Sequence, residues 1–287
     1  MWFFLALGTA LSQAAKDVLI KKNTRCDGLV LCCAYCWMST AMLLFGLAAT
    51  GVPDIRPDFW VALGSSAALN SVALTLYFTA IRASDLSLTA PMLTFTPLFL
   101  LATSPLLVGE YPDAMGGAGI VCIVAGSYIL HLKARRSGFL GPVRALVSER
   151  GPRLMLLVAF LWSIGANLDK IGVLNSSPLM WLCALYGTIA AILTPFALVR
   201  IRRLGRAALP RLGQVAVLSL FEASGLVLQM LALTLTIVPY VIATKRLSGV
   251  FGVVFGSIFL GEKGVGERLA GASLMVAGVM CIAFFGS

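Results

Sequence analysis

The residues best suited to chemistry are charged side chains inside long apolar stretches. Lys245 and Arg246 are adjacent within an apolar segment over 237–260, and Glu222 lies in the middle of the segment before it. Counted from Ile237 at about 1.5 Å of helix rise per residue, Lys245 is about 12 Å deep, close to a bilayer midplane. A charge at that depth costs at least about 2.5–3.5 kcal/mol. We therefore expect a cavity, a counter-ion or an anionic ligand at this point.

The central charges allow two interpretations. Lys245 and Arg246 either contact an anionic substrate or form a structural pair with Glu222, and both hold if substrate displaces Glu222. Because adjacent side chains on a helix point about 100° apart, we expect one cation to face the cavity and the other to pair nearby. Glu222 is alternatively a proton-coupling carboxylate, a role that suits export of a cation.

Further polar side chains lie in or beside the apolar segments. Four uncharged residues are expected to contact substrate, with helix bridging as the alternative for each: Asn70, Tyr77, Gln229 and Tyr240. Four more are candidates for gating or coupling: Lys16, Asp17, Asn167 and Asp169. The alternative is helix bridging for Asn167, and solvation or capping at a span end for the three charged residues.

The composition requires a membrane as the solvent for these groups. Of 287 residues, 59% are hydrophobic and only 12% are charged, against about 25% charged in soluble domains. This excludes a soluble globule, a disordered chain and a nucleic-acid-binding protein, so the expected partners are a small-molecule substrate and the lipid bilayer. We predict an all-α polytopic membrane protein that needs no cofactor. The Cys32, Cys33 and Cys36 cluster is interpreted as helix filling, and no metal site is predicted.

Ten apolar segments are long enough to cross a bilayer. They lie near 2–20, 29–49, 58–81, 86–108, 114–132, 154–172, 178–199, 212–234, 237–260 and 266–285. The connections after odd-numbered spans carry nearly all the Lys and Arg residues, which stay cytoplasmic. We therefore expect both termini outside, in a membrane that we take to be a bacterial inner membrane. No loop is long enough to cover an enzyme site, so catalysis is not expected.

An internal repeat appears when the chain is compared with itself at an offset of 152 residues. Asp17 then meets Asp169, and Gly109–Glu110 meets Gly261–Glu262. Each copy has five spans, an odd number, so the second copy is inverted in the membrane. Inverted repeats are typical of secondary transporters with a midplane site. We predict a first repeat over 1–135, a linker over 136–152 and a second repeat over 153–287.

The phrases LYFTAIRASDLSLTAPMLTFTPLFLLATSPLLVGE (76–110) and LALTLTIVPYVIATKRLSGVFGVVFGSIFLGE (231–262) resemble the EamA repeat of the drug/metabolite transporter superfamily. The resemblance covers nearly the whole chain. It implies ten helices, with a central cavity lined by spans one to four and six to nine, and with spans five and ten at the periphery. It leaves the substrate open, because members carry many kinds of metabolite.

One motif narrows the range of expected substrates. Lys245–Arg246 is similar to the Lys–Arg pair that plastidic phosphate translocators of this superfamily carry in their ninth helix, which implies a phosphate contact. Unlike those proteins, this chain has Leu93 and Thr94 at the equivalent positions of span four. We expect a carrier of a small, anionic or phosphate-bearing metabolite. The alternative is a proton-coupled exporter of a cationic or amphipathic drug, metabolite or amino acid. A monomer is expected to suffice, and the oligomeric state is left open.

Overall fold

The helices follow the apolar segments of the sequence. The computed structural model describes residues 1–22, 26–83, 90–131, 148–260 and 265–286, and the regular secondary structure in these ranges is helical. Their α-helices are α1 Trp2–Lys22, α2 Gly28–Thr50, α3 Asp58–Ala83, α4 Thr96–Val108, α5 Ala114–His131, α6 Arg150–Leu174, α7 Pro178–Leu204, α8 Leu212–Leu233, α9 Val238–Lys245, α10 Ser248–Leu260 and α11 Val265–Phe285. Short 3₁₀ segments cover Ala90–Phe95 and Gly205–Ala208.

These elements form ten spans. Spans one to eight correspond to α1 to α8, the ninth consists of α9 and α10, and the tenth is α11. Six stretches are long and apolar enough to cross a membrane by themselves, and shorter apolar helices occur at Met92–Val108, Ala114–Leu130 and Leu269–Phe285. The prediction of an all-α, multi-pass integral membrane protein with ten spans is confirmed.

Local sequence signals set several helix ends. The Asp27 carboxylate accepts from the backbone N–H of Leu29 at 3.0 Å, which caps the start of α2. Ser177 caps α7 and is followed by Pro178, whose missing N–H costs nothing at this first position. Gly109 ends α4 with a left-handed φ of 69°, a conformation that other residues adopt only with strain.

The helix contacts follow a pseudo-two-fold pattern. Helix α3 packs along α6, and α1 packs along α8. Under the 152-residue offset these two contacts are equivalent. The contacts of α2 with α7 and of α5 with α11 correspond to themselves, as pairs on an axis must. The packing is therefore what two inverted copies of one five-span unit would produce.

Two glycine pairs bring α5 and α11 into backbone contact. A Cβ atom built on Gly119 would lie 2.6 Å from the Gly278 carbonyl oxygen, and one on Gly126 would lie 2.6 Å from that of Gly271. No larger residue fits without moving a helix. In each span the two glycines are seven residues apart, which places them on one helix face and allows this close packing.

Candidate functional site

The ninth span is interrupted at its two cations. Helix α9 ends at Lys245, and the next bonds run from Arg246 N to Ala243 O and from Leu247 N to Thr244 O, both 3.0 Å. These are i→i−3 bonds, so the α-helical ladder breaks before α10 starts. Irregular backbone at membrane depth is tolerated only where it is buried in protein or lines a cavity. The sequence predicted one continuous span. The Ser248–Gly249 pair beside the break is the sequence signal that could have revealed the break.

The described part of the fourth span begins with a 3₁₀ segment at the equivalent place. This segment, Ala90–Phe95, precedes α4 and contains Leu93 and Thr94, the repeat counterparts of Lys245 and Arg246. Irregular helices at corresponding positions of two halves are typical of a transporter binding site. Here the two halves differ in chemistry, because Leu93 and Thr94 are uncharged whereas Lys245 and Arg246 are cations.

Lys245 has a neutral direct partner. Its Nζ donates to Gln229 Oε1 at 2.7 Å, and the Gln229 side chain is buried in α8. At longer range Lys245 is attracted by Glu222 and Asp169 and repelled by Lys16 and Arg246. The amide orients the ammonium but leaves its charge available, so Lys245 can still attract an anion.

Arg246 has an unused donor. Its Nε atom is buried and has no hydrogen-bond partner among the described residues. Its attraction to Asp17 acts at longer range, and no hydrogen bond joins the two side chains. A guanidinium has five N–H donors in a planar fork that matches carboxylate or phosphate oxygens. Arg246 is therefore the cation of the ninth span best able to form hydrogen bonds with an anionic ligand.

Glu222 is neutralised by Lys16. The two side chains form an ion pair in which they are 12% and 10% exposed, and Tyr186 donates its hydroxyl to the other Glu222 oxygen at 2.7 Å. The suggested structural pair of Glu222 with Lys245 and Arg246 is wrong. The reason is helix packing, because α1 lies along α8 and delivers Lys16 directly to Glu222. Lys16 is thus inside the site rather than at a solvated span end.

The two repeat-related aspartates are held by neutral donors. Asp17 accepts from Gln13 Nε2 at 2.9 Å and has an exposed side chain, whereas Asp169 accepts from Trp181 Nε1 at 3.1 Å. The Trp181 ring is fully buried. Among the described residues, neither carboxylate has a cation in contact.

The charges at this level of the bundle balance. Three cations, Lys16, Lys245 and Arg246, interact with three carboxylates, Asp17, Asp169 and Glu222. The formal sum is zero, although direct contact joins only Lys16 and Glu222 among the six. We call these six residues the central cluster. Its other members are held by neutral groups or by long-range attraction.

A small cavity adjoins the central cluster. It lies between α1, α8 and α9 and has a volume of about 10 Å³, about the room that one water molecule needs. Its lining is Thr9, Gln13, Phe221, Glu222, Gly225, Leu226 and Lys245. Beside it, Tyr77 packs on Trp162 with ring centroids 5.6 Å apart and interacts electrostatically with Lys16 and Asp17. The expected substrate contacts at Lys245, Glu222 and Tyr77 are thus close enough to act together.

Three expected site residues have other partners. Tyr240 donates to Asp113 Oδ1 at 2.6 Å near the start of α9. Asn167 is fully buried and accepts from Ser104 at 2.7 Å, so it joins α6 to α4. Asn70 donates to the carbonyl of Ser66 in its own helix at 2.9 Å. For Tyr240 and Asn167 the geometry favours helix bridging.

Glu110 and Lys170 tie together one end of the bundle, which we call the Glu110 end. They form an ion pair, 11% and 13% exposed, and Lys170 also donates to Thr236 O at 2.8 Å. The other Glu110 oxygen accepts from Val238 N at 2.7 Å, at the start of α9. Glu110 thus satisfies a backbone donor on a helix of the other repeat. Its counterpart Glu262 lies outside the described residues.

Sequence reasoning missed Trp181, Tyr186, Gln13 and the Lys170 ion pair. Trp181 and Tyr186 share α7 with many apolar residues, and nothing near them in sequence marks them as partners of carboxylates. The cysteine interpretation is consistent with burial of Cys32, Cys33 and Cys36 in α2. Within the described ranges, no group of three or more His, Cys, Asp and Glu side chains could hold a metal ion.

Solved structures share this fold. One crystal structure superimposes with a TM-score of 0.75, covering 98% of this chain and 95% of the other at 14% sequence identity. At that identity the likeness shows the fold alone. No curated protein sequence matches the chain.

The two halves also match one family model separately. Residues 1–132 and residues 150–284 each match the model of the EamA-like transporter family, as the motif resemblance implied. These transporters move small molecules across membranes and are not enzymes. Since the two matches together take in most of the sequence, the chain belongs to the EamA-like transporter family.

Proposed function

We propose that the protein is a secondary carrier that moves a small organic anion, with a phosphate-bearing metabolite as the leading candidate, by alternating access. The observation that carries the proposal is the buried Nε of Arg246, which has no hydrogen-bond partner among the described residues and lies at a break in a membrane-spanning helix. Lys245 beside it is held by an amide and keeps its charge for a ligand.

The energetics favour an anion at this point. A buried donor without a partner carries a desolvation penalty that a ligand oxygen would remove. A hydrogen bond to a charged group contributes about 1.5–3 kcal/mol, which corresponds to about a 10- to 150-fold change in affinity. Arginine can bind two oxygens of one phosphate, whereas lysine acts as a point charge. Arg246→Lys should therefore weaken binding, and Arg246→Gln should weaken it further.

The test is ligand binding by purified protein. Inorganic phosphate, 3-phosphoglycerate, citrate, choline and phenylalanine are compared by thermal shift, since a bound ligand raises stability by mass action. The preferred anion is then titrated against wild type, Arg246→Lys and Arg246→Gln. Arg211→Gln is the matched control, because Arg211 is exposed at the start of α8. Unchanged affinity in both Arg246 variants, with the fold intact, would refute the proposal.

A second function is favoured by the exposed Asp17 carboxylate, which has no cation in contact within the part of the chain that the structure describes. In this alternative the protein is a proton-coupled exporter of a cation, an amphipathic drug or an amino acid. A thermal shift with choline or phenylalanine and none with the three anions would favour it. Glu222 is less suited than Asp17 to bind a cation, because Lys16 already occupies it.

We also propose the orientation and the repeat boundaries on the sequence evidence. The Lys and Arg asymmetry supports both termini outside, in a bacterial inner membrane. The 152-residue offset supports repeats over 1–135 and 153–287, joined by a linker over 136–152. In this orientation the Glu110 end faces outward, and its ion pair would close the outer side of the carrier.

A further inference from the structure

Glu222 is an anion built into the protein, and it is paired with Lys16. The buried Lys16 ammonium is near Lys245, where an anionic substrate would also bind. A second anion in this space competes with Glu222 for Lys16, because both are attracted by the same cations.

The surroundings of Glu222 contain few other sources of positive charge. From α1 it is faced by Lys16 and Asp17, and from α9 by Lys245. Tyr186 of α7 donates to it at 2.7 Å. Helix α2 contributes only neutral groups that interact with it: Cys32, Tyr35 and Cys36. If Lys16 turns to another anion, Glu222 loses its contacting cation and keeps only the longer-range attraction of Lys245, whose ammonium is bound to Gln229. Its other neighbours are then a hydroxyl, thiols and a second carboxylate.

We propose that a bound anion displaces Glu222 from Lys16 and that Glu222 takes up one proton as it is displaced, so that anion and proton cross the membrane together. This inference rests on the proposed function. A buried carboxylate that loses its cation is stabilised by protonation, because the uncompensated charge is costly in low dielectric. Binding thus converts Glu222 from a counter-ion into a neutral acid.

The charges and protons balance at each step. The proton comes from the water phase to which the site is open and forms an O–H bond on Glu222. Lys16 keeps its three N–H bonds and pairs with the substrate. The formal sum of the central cluster rises from zero to plus one, which neutralises a monoanion. On the other side the substrate leaves, Glu222 releases the proton to water, and its ion pair with Lys16 forms again.

The primary experiment counts protons taken up on binding. Inorganic phosphate is titrated into wild-type protein and Glu222→Gln by calorimetry, in buffers of different ionisation enthalpy. Phosphate itself gains or loses protons in this pH range, but to the same extent with both proteins. The difference in proton uptake between the two proteins therefore reports on Glu222. Wild type should take up about one more proton per phosphate than Glu222→Gln, and its affinity should rise by up to about tenfold more per unit fall in pH. Asp58→Asn, which removes an exposed carboxylate, should match wild type.

A second measurement needs no variant, in case Glu222→Gln fails to fold with Lys16 unpaired. Infrared difference spectra of wild type with and without phosphate should show the carbonyl stretch of one newly protonated carboxylic acid. Equal proton counts in wild type and Glu222→Gln, or no new carbonyl band when phosphate binds, would overturn this inference alone. If wild type binds none of the tested anions, the proposed function itself fails and the inference falls with it.

Discussion

Replacing Glu110 by glutamine should loosen the Glu110 end. Glutamine keeps an acceptor for the backbone N–H of Val238 but loses the charge that faces Lys170. A hydrogen bond to a charged group contributes about 1.5–3 kcal/mol, against about 0.5–1.5 kcal/mol for a neutral one. Both contacts are largely buried, so solvent screens them little. If they exist only while this end is closed, the loss is about 2 kcal/mol, or about 30-fold in the closed-to-open equilibrium.

Distances between spin labels can measure that equilibrium. Exposed positions Tyr111 and Leu235 lie on opposite repeats at this end, so labelled cysteines there should move apart as it opens. Glu110→Gln in lipid nanodiscs should shift the distance distribution toward longer values. Glu149→Gln, a carboxylate at the start of α6, is the control and should leave it unchanged. An unaltered distribution in a stable Glu110→Gln protein would show that this ion pair does not hold the end closed.

Three further outcomes are expected. In a cysteine-free background, an impermeant thiol reagent should label a cysteine at Ser176 but not one at Ser137 in intact cells; Ser137 lies outside the described residues, and the opposite pattern would reverse the orientation. Gly278→Ala should lower stability by about 1–3 kcal/mol in thermal unfolding, because its Cβ would lie 2.6 Å from the carbonyl oxygen of Gly119, whereas Gly252→Ala, with open space, should not. Asn167→Leu should lower stability by about 1–3 kcal/mol by leaving its buried partners unpaired, and an unchanged unfolding temperature would contradict the bridging role.

Hydropathy was sufficient to predict the spans. The fifth span was expected over 114–132 and is Ala114–His131. This agreement follows because a helix that crosses lipid requires a long apolar run, which is visible in the sequence. The same criterion missed the break at Arg246. Hydropathy reports the solvent around side chains, whereas the break depends on where three backbone carbonyls find partners.

Partner choice was the other limit of the sequence. A charge at membrane depth must be compensated, so Glu222 could be recognised as important. Its partner Lys16 is 206 residues away, and only the packing of α1 along α8 brings the two together. Lys245 lay closer in sequence and was the natural candidate, but its ammonium binds Gln229 instead.

The glycine contact between α5 and α11 constrains how far the two halves can differ in sequence. Gly119 faces Gly278 and Gly126 faces Gly271, so each contact takes one glycine from each half. A larger side chain in either copy collides with the backbone of the other, and no change in the partner glycine can make room, since it has no side chain to lose. The positions Leu93–Thr94 and Lys245–Arg246 carry no such mutual restriction, since these corresponding residues differ in size and charge. The two halves can therefore differ in chemistry at these positions, whereas both must keep glycine where α5 crosses α11.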